Sequence, residues 1–387
     1  MGKSIERLYL KIDSSRKLNI MKILFLTPHP EEGASTRYRV KQFFPYFNHN
    51  GIECVFHPFF LSDCYSILYK KGRTLRKGLN LLKGIFHRTI DLVNSSDTDI
   101  VFVHLEASPL GLPIFEKIFT LLNKPIIYDL DDAIYIKEVS PANWLAYFLK
   151  SSSKIPKIIT MSNYIVVCNE YLETYARRFN QRIKMIPTSV DTNKFTVKDY
   201  NMRNEVMVIG WIGSHTTAHY LMLLTEVFKR LSKRHKFVLK IIGADKKNYF
   251  PGIDVIYSDW SLEKDVYEFQ SLDIGIYPLP DNEWVKGKTG FKTVQYMSVG
   301  VPCIVSRVGR NMTIVEDGVN GFLASLEDEW VEKLSLLIEN PELRKRMGMA
   351  GRKTVEERYS VKANASKYLQ IFKKVYEERY EKSQIND

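Results

Sequence analysis

Gly287-Lys288-Thr289-Gly290-Phe291-Lys292-Thr293-Val294-Gln295-Tyr296-Met297-Ser298-Val299-Gly300-Val301-Pro302-Cys303-Ile304-Val305 reads as a turn, a helix and a strand in quick succession. Gly287 and Gly290 mark the turn. Val294, Met297 and Val299 fall where one helix face can meet a core. Gly300 ends that helix, because a C-terminal cap takes up left-handed backbone that glycine adopts at little cost. Pro302 blocks continuation, and Cys303-Ile304-Val305 is a short apolar run of buried-strand type. Lys288 and Lys292 are expected on the helix's first turn. A helix start carries unpaired N–H groups and partial positive charge, so it attracts anions. Taken alone, solvated surface charge is the better reading of both lysines.

Working outward, the stretch closes a βαβ series. Strands are expected at 206–212, 237–243, 254–257 and 273–277, with helices at 218–234 and 262–270. Gly213-Ser214-His215-Thr216-Thr217 is the loop after the first of them. A similar series precedes it, with strands at 21–27, 52–56, 99–103, 125–128, 164–168 and 182–186. The loop Glu31-Glu32-Gly33-Ala34-Ser35-Thr36-Arg37 follows the first strand, and Asp129-Leu130-Asp131-Asp132 follows the fourth. Strand–loop–helix–strand repetition implies parallel sheets, whose ligands bind beyond the strands' C-terminal ends. The architecture expected is two doubly wound α/β halves facing across a cleft.

The chain has 387 residues, which favours two domains. Hydrophobic residues make up 45%, enough for real cores, and the net charge of +12 implies attraction to something acidic. Nucleic acid, anionic membrane and phosphorylated substrate are the options. Cys54, Cys64, Cys168 and Cys303 are scattered without a CxxC pair, so free thiols in a reducing compartment are expected. No apolar run reaches the roughly 20 residues of a membrane span, and residues 1–20 lack a signal core. A cytoplasmic protein is expected, with Met21 resembling a natural start.

Residues 65–93 stand apart. Lys70, Lys71, Arg73, Arg76, Lys77, Lys83 and Arg88 occur there with no acidic residue until Asp91, and Leu75, Leu79, Leu82 and Phe86 recur at helical spacing. This is a basic amphipathic helix suited to an anionic lipid surface. An ordinary packed helix with a basic outer face fits equally well. No nucleic-acid motif accompanies the charge, so nucleic acid ranks last.

Several chemistries find no support. GxSxG, GxxxxGK[ST] and GxGxxG are all absent, as is a Cys–His arrangement for nucleophilic attack. The Asp129, Asp131 and Asp132 carboxylates can in principle hold Mg²⁺, but capping or loop bracing fits at least as well. Phosphate handling remains. Loops 33–37, 213–217 and 287–292 offer Arg37 and Arg39, Ser and Thr hydroxyls, and Gly backbone with two lysines. Several such loops around one cleft suit a diphosphate.

Gln295 to Val305 resembles the E-A-M-A-x-G-x-P-V-V motif of GT-B glycosyltransferases of retaining family 4, the glycosyl transferases group 1. Glu316-Asp317-Gly318-Val319-Asn320-Gly321-Phe322-Leu323 resembles its E-D-G-x-x-G-f-L. Ile186-Pro187-Thr188-Ser189-Val190-Asp191 and the residues to Phe195 are similar to its I-P-N-G-V-D-x-x-x-F. The resemblance runs over roughly residues 21–375. It implies an N-terminal extension at 1–20, an acceptor-binding Rossmann-like domain at 21–190, a linker at 191–204, a nucleotide-sugar-binding domain at 205–360, and a C-terminal helix at 361–387 packing toward the first domain. The family's two glutamates, eight residues apart, fall on Gly287 and Gln295. Its arginine falls near Trp211, and its acceptor-domain histidine has no clear equivalent.

The resemblance implies retaining sugar transfer from a nucleotide diphosphosugar to a hydroxyl, needing no metal and no cofactor. Gly213, Ser214, Lys288, Thr289, Gly290, Phe291, Lys292 and Gln295 are expected at the donor. Lys288, Asp129 and Asp131 are expected as catalytic groups, and Gly33, Ser35 and Arg37 on the acceptor side. The partners expected are a nucleotide sugar, a glycan or lipid-linked acceptor, and an anionic membrane surface, with no nucleic acid. The competing reading is a non-catalytic GT-B-like sugar- or partner-binding protein, motivated by Gly287 and Gln295.

Overall fold

Met21–Thr27 (β1) is apolar along nearly its whole length because it is an inner strand of a parallel sheet, and such sheets are covered on both faces. A computed structural model of the chain describes residues 20–68, 72–136, 151, 153–202, 205–244 and 250–386. The extension at 1–20 lies almost wholly outside them. β1 is flanked by Ile52–Pro58 (β2) and Ile100–His104 (β3), followed by Ile126–Leu130 (β4), Tyr164–Val167 (β5) and Ile183–Met185 (β6). The order is β2-β1-β3-β4-β5-β6, all parallel.

The second sheet is also six-stranded and parallel. Its strands are Met207–Ile212 (β7), Phe237–Ile242 (β8), Val255–Ser258 (β9), Ile274–Tyr277 (β10), Cys303–Ser306 (β11) and Phe322–Ala324 (β12), in the order β12-β11-β10-β7-β8-β9. That is the doubly wound order of dinucleotide folds, with its topological switch between β7 and β10. The first sheet switches between β1 and β3. Open α/β sheets bind ligands at such points.

Between the sheets the chain passes through Val190, whose backbone exchanges hydrogen bonds with Tyr359 and Val361. The final helix, Val361–Asn386, then returns to the first sheet. Its Tyr368 and Phe372 pack among Phe25, Phe43, Phe47 and Phe102, with Phe47 and Phe372 ring centres 5.1 Å apart. Each such ring contributes roughly 1.5–3 kcal/mol by leaving water.

Three expectations need correction. The helix after Gly290 is Phe291–Ser298, so Lys292 stands in its first turn but Lys288 precedes it. Gly290 has φ of 66°, a left-handed value that breaks the helix there. Asp129 lies inside β4 rather than beyond it. The basic helix is Thr74–Val93, and the alternative of an ordinary packed helix with a basic outer face gives way, because its apolar stripe faces outward: Leu75, Leu79, Leu82 and Phe86 are 81%, 52%, 62% and 64% exposed. Arg88 leaves the basic face and is buried, pairing with Asp91 and donating to the Thr27 and Ala107 carbonyls. Lys70 and Lys71 lie outside the described residues. All four cysteines are free, three of them buried. No described helix is long and apolar enough to cross a membrane.

Candidate active site

Parallel pairing of β3 with β4 sets His104 opposite Asp129. The His104 ring Nδ1 lies 2.7 Å from Asp129 Oδ2. Arg39, from the helix Ala34–Arg39, forks onto both Asp129 oxygens and donates to the Ile186 carbonyl at 2.7 Å. Arg39 and Asp129 are sealed from solvent. Burial opposes charge on Asp129, but Arg39 and His104 outweigh it and hold the carboxyl below its usual range. Asp129, expected as catalytic, is therefore closed off from any substrate; its place is to hold Arg39 and orient His104.

Ser35 extends the array. Its hydroxyl donates to Asp131 Oδ2 at 2.7 Å and lies 2.6 Å from His104 Nε2. The other Asp131 oxygen, Oδ1, is buried and has no hydrogen-bond partner among the described residues. The Cys168 thiol fixes the Asp131 backbone by donating to its carbonyl at 3.3 Å. His29, on the loop after β1, is pushed down to about 4 by burial, with the neighbouring His104 adding to the effect, so it is neutral at pH 7. Gly33 turns that loop tightly; a Cβ there would come within 2.9 Å of the His29 Cβ.

The second sheet offers different groups. In the Gly213–Thr217 loop the Ser214 and Thr216 hydroxyls bond each other at 2.7 Å, and a Cβ on Gly213 would strike the Trp211 ring. Lys288 lies between a short helix, Glu283–Lys286, and the helix Phe291–Ser298, its ammonium 5.1 Å from the Trp284 ring centre. Thr289 accepts the Phe291 N–H through its hydroxyl. Lys292 is only partly covered by area, yet the cleft walls desolvate its ammonium. That lowers its pKa to about 8, with Arg37 adding to the effect and Asp265 opposing it. Lys292 also donates to Gln295 Oε1 at 3.1 Å, while Gln295 Nε2 donates to the Tyr38 hydroxyl at 3.2 Å. Both ends of the Gln295 amide are thus engaged, so a ribose contact there has to displace one of them.

The two sheets meet at these loops. Tyr38 donates to Asp265 Oδ2 at 2.7 Å, and Trp260 donates to Asp265 Oδ1 at 2.8 Å. Arg37 stacks over the Trp260 ring at 5.5 Å. Asn169 donates its amide to the Gly287 and Lys288 carbonyls, and Arg310 pairs with Glu170. A Cβ built on Gly287 would lie 2.5 Å from the Ala133 Cβ. The residue type at 287 is therefore set by close approach of the first sheet's loop.

Between the sheets lies a cavity of about 420 Å³, a volume suited to a small ligand. It gathers Arg37, Gly213, Ser214, Lys288, Phe291, Lys292 and Gln295, all expected at the site, with Trp260 and Asp265 added. Gly33, Ser35, Asp129, Asp131, Thr289 and Gly290 stand outside its lining. The residues the sequence reading missed are His104, Tyr38, Trp260 and Asp265; Arg39, expected to offer itself to phosphate, is instead sealed against Asp129. His104 had one available signal, as a polar residue closing an apolar strand next to a switch point. Among the described residues no group of three or more His, Cys, Asp or Glu side chains is set to hold a metal.

A family model for glycosyl transferases group 1 matches residues 192–354. An uncharacterized glycosyltransferase of Methanocaldococcus jannaschii is 38% identical over 279 residues, which are 64% of this chain and 75% of that protein. The chain belongs to the glycosyl transferases group 1 family. The capsular polysaccharide biosynthesis glycosyltransferase CapM of Staphylococcus aureus is 25% identical over 183 residues. That match takes in 44% of this family member and spans 47%, about half, of CapM. Among solved structures, a glycosyltransferase from Rickettsia africae superposes with a TM-score of 0.67 at 14% identity, covering 92% of this chain and 99% of that one. Anabaena Alr3699/HepE in complex with UDP and glucose gives 0.63 at 14% identity, covering 92% and 100%. At such identity these two likenesses bear on the fold alone, which is GT-B.

Proposed function

We propose that this chain moves a sugar, with retention at the anomeric carbon, from a nucleotide diphosphosugar to a hydroxyl acceptor. The observation that carries the reading is the convergence of Lys288, Lys292, Arg37 and the Ser214 loop on one cavity at the switch point of the second sheet. A diphosphate leaving group develops negative charge, and cations preorganised in a partly dry cleft stabilise it most where water is least. Lys288 and Lys292 take that part, so neither a metal nor a further cofactor is required. Asp131 positions the acceptor hydroxyl from the first sheet. Arg37 and the Gly33 loop border its approach.

The binding of UDP and glucose by the Anabaena protein makes UDP-sugars the first donors to try. The capsular role of CapM points toward a cell-surface glycan acceptor, built at the cytoplasmic membrane face. The outward stripe of Leu75, Leu79, Leu82 and Phe86, flanked by Arg73, Arg76, Lys77 and Lys83, supports lipid contact. Each such cation contributes about 1 kcal/mol at an anionic surface. Flotation with anionic vesicles checks this; equal retention on neutral vesicles counts against it.

The deciding experiment is a thermal-shift panel of UDP, GDP, ADP and their common sugars, followed by a transfer assay with the best ligand. A ligand at about 100 times its dissociation constant stabilises the fold by roughly 2.7 kcal/mol. No shift with any nucleotide sinks the donor assignment. Binding without transfer or hydrolysis favours a sugar-binding protein.

A further inference from the structure

The Ser35 array holds more hydrogens than its groups supply when each is in its ordinary form. Three contacts are at hydrogen-bond distance: Asp131 Oδ2 to Ser35 Oγ at 2.7 Å, Ser35 Oγ to His104 Nε2 at 2.6 Å, and His104 Nδ1 to Asp129 Oδ2 at 2.7 Å. Each needs one hydrogen between its heavy atoms. A serine hydroxyl supplies one and a neutral imidazole another. Asp129 is ionised against Arg39 and supplies none. The third hydrogen is an additional proton, and only His104 Nε2 or Asp131 can carry it. The two placements interconvert by a double hop across Ser35: Nε2 gives its hydrogen to Oγ as Oγ gives its own to Oδ2.

We propose that Ser35 and His104 form a charged hydrogen-bonded array that keeps Asp131 ionised, with the extra proton resting on His104 and the second Asp131 oxygen left to receive the proton of the acceptor hydroxyl. The inference rests on the sugar-transfer reading above. Asp131 Oδ1 is buried, has no described hydrogen-bond partner and lies 3.9 Å from His104 Nε2. The same strand end continues to Ala133 at the Gly287 contact, so the array ends beside the donor loop. In the reaction the acceptor O–H proton passes to Asp131 Oδ1. The acceptor oxygen bonds the anomeric carbon on the same face as the departing diphosphate, as retention in a single displacement requires. The bond from that carbon to the diphosphate oxygen breaks, and its electron pair leaves with the nucleoside diphosphate. Asp131 is a catalytic residue in this scheme; Ser35 and His104 are positioning residues, because a proton moved across to Asp131 would spend the base. The other charged or titratable groups facing the array are Arg39 and Asp129, His29 from the β1 loop, Cys168 from the end of β5 and Tyr368 from the last helix.

The test uses the full chain. Nitrogen-15 NMR of the imidazoles, with H104Q for assignment, should find hydrogen on both His104 nitrogens at pH 7. In S35A and in D131N one of those nitrogens should lose it. In the transfer assay S35A should lower kcat by about 10²-fold, the range of general acid–base effects, with the donor KM within about threefold. S35T should recover at least about tenfold of the loss. A neutral His104 ring in the wild type, or S35A turning over at the wild-type rate, overturns the charged array. Wild-type protein that transfers no sugar overturns the functional reading instead, and the NMR result still decides the charged array. D131N gives the spectroscopic answer independently if S35A fails to fold.

Discussion

At the end of the first sheet, Arg39, Asp129, His104 and Ser35 answer one another's hydrogen bonds, and the innermost of them are sealed from water. At the end of the second, Ser214 leans on a neighbouring hydroxyl, Lys288 rests on a ring face, and Lys292 is held partly desolvated beside Gln295. One end is wired before any ligand arrives. The other keeps cations and hydroxyls in a cavity where an anion can claim them. The contrast fits a division of labour in which the first sheet fixes geometry and the second supplies binding energy. Substitutions of the sealed Arg39–Asp129 pair should then be read out mainly as stability, and those in the second region mainly as affinity and turnover.

The largest effect is expected at Asp129. Asp129→Ala leaves Arg39 buried without its partner, a change that costs about 3–5 kcal/mol. Chemical denaturation should show that loss whether or not nucleotide is present. A shift under about 1 kcal/mol would mean that water reaches Arg39, and the first region would no longer count as sealed.

Lys288→Ala comes next and should act the other way round. Removing one cation–phosphate contact from a dry site lowers transition-state stabilisation by on the order of 2–4 kcal/mol, while the unliganded fold keeps its melting temperature. Turnover within about threefold of wild type would remove Lys288 from the site.

The sequence carried much of this plan, but unevenly. Apolar runs such as Met21–Thr27 and the Gly–Lys turn before Val294 are local patterns, and local patterns survive in one dimension. The His104–Asp129 pair depends on the register between β3 and β4, and the Tyr38–Asp265 bond joins residues 227 apart. No spacing rule reports such partners. The helix Thr74–Val93 shows a subtler limit. Its period was readable, but periodicity does not say which stripe meets the core. Arg88 reaches inward because Asp91 and two carbonyls receive it there, while Leu75, Leu79 and Leu82 face out.

Gly287 tests the seam between the regions. A glutamate, the family's residue at this point, needs room that Ala133 already occupies. Gly287→Glu should cost about 1–3 kcal/mol, the usual range for overpacking. Ala133→Gly in the same chain should recover part of it. Full stability in the single variant would show that the two sheets separate there without penalty.

Lys292 gives the sharpest sign. Its pKa is lowered to about 8 in the folded protein from the ordinary 10.5. Between those values the unfolded chain binds more protons than the folded one, so stability should rise with pH across that window; below it the strain of the buried charge is fully present. Diphosphate affinity should move oppositely. Above pH 8 the ammonium is progressively lost, and UDP binding should weaken by up to about tenfold per unit, accompanied by proton uptake. Calorimetry in two buffers of different ionisation enthalpy measures that uptake directly. Opposite slopes for stability and affinity tie both to one ammonium inside the donor cavity. Parallel slopes, or equal affinity at pH 7 and 9, would place the charge that the diphosphate meets on Lys288 or Arg37 instead.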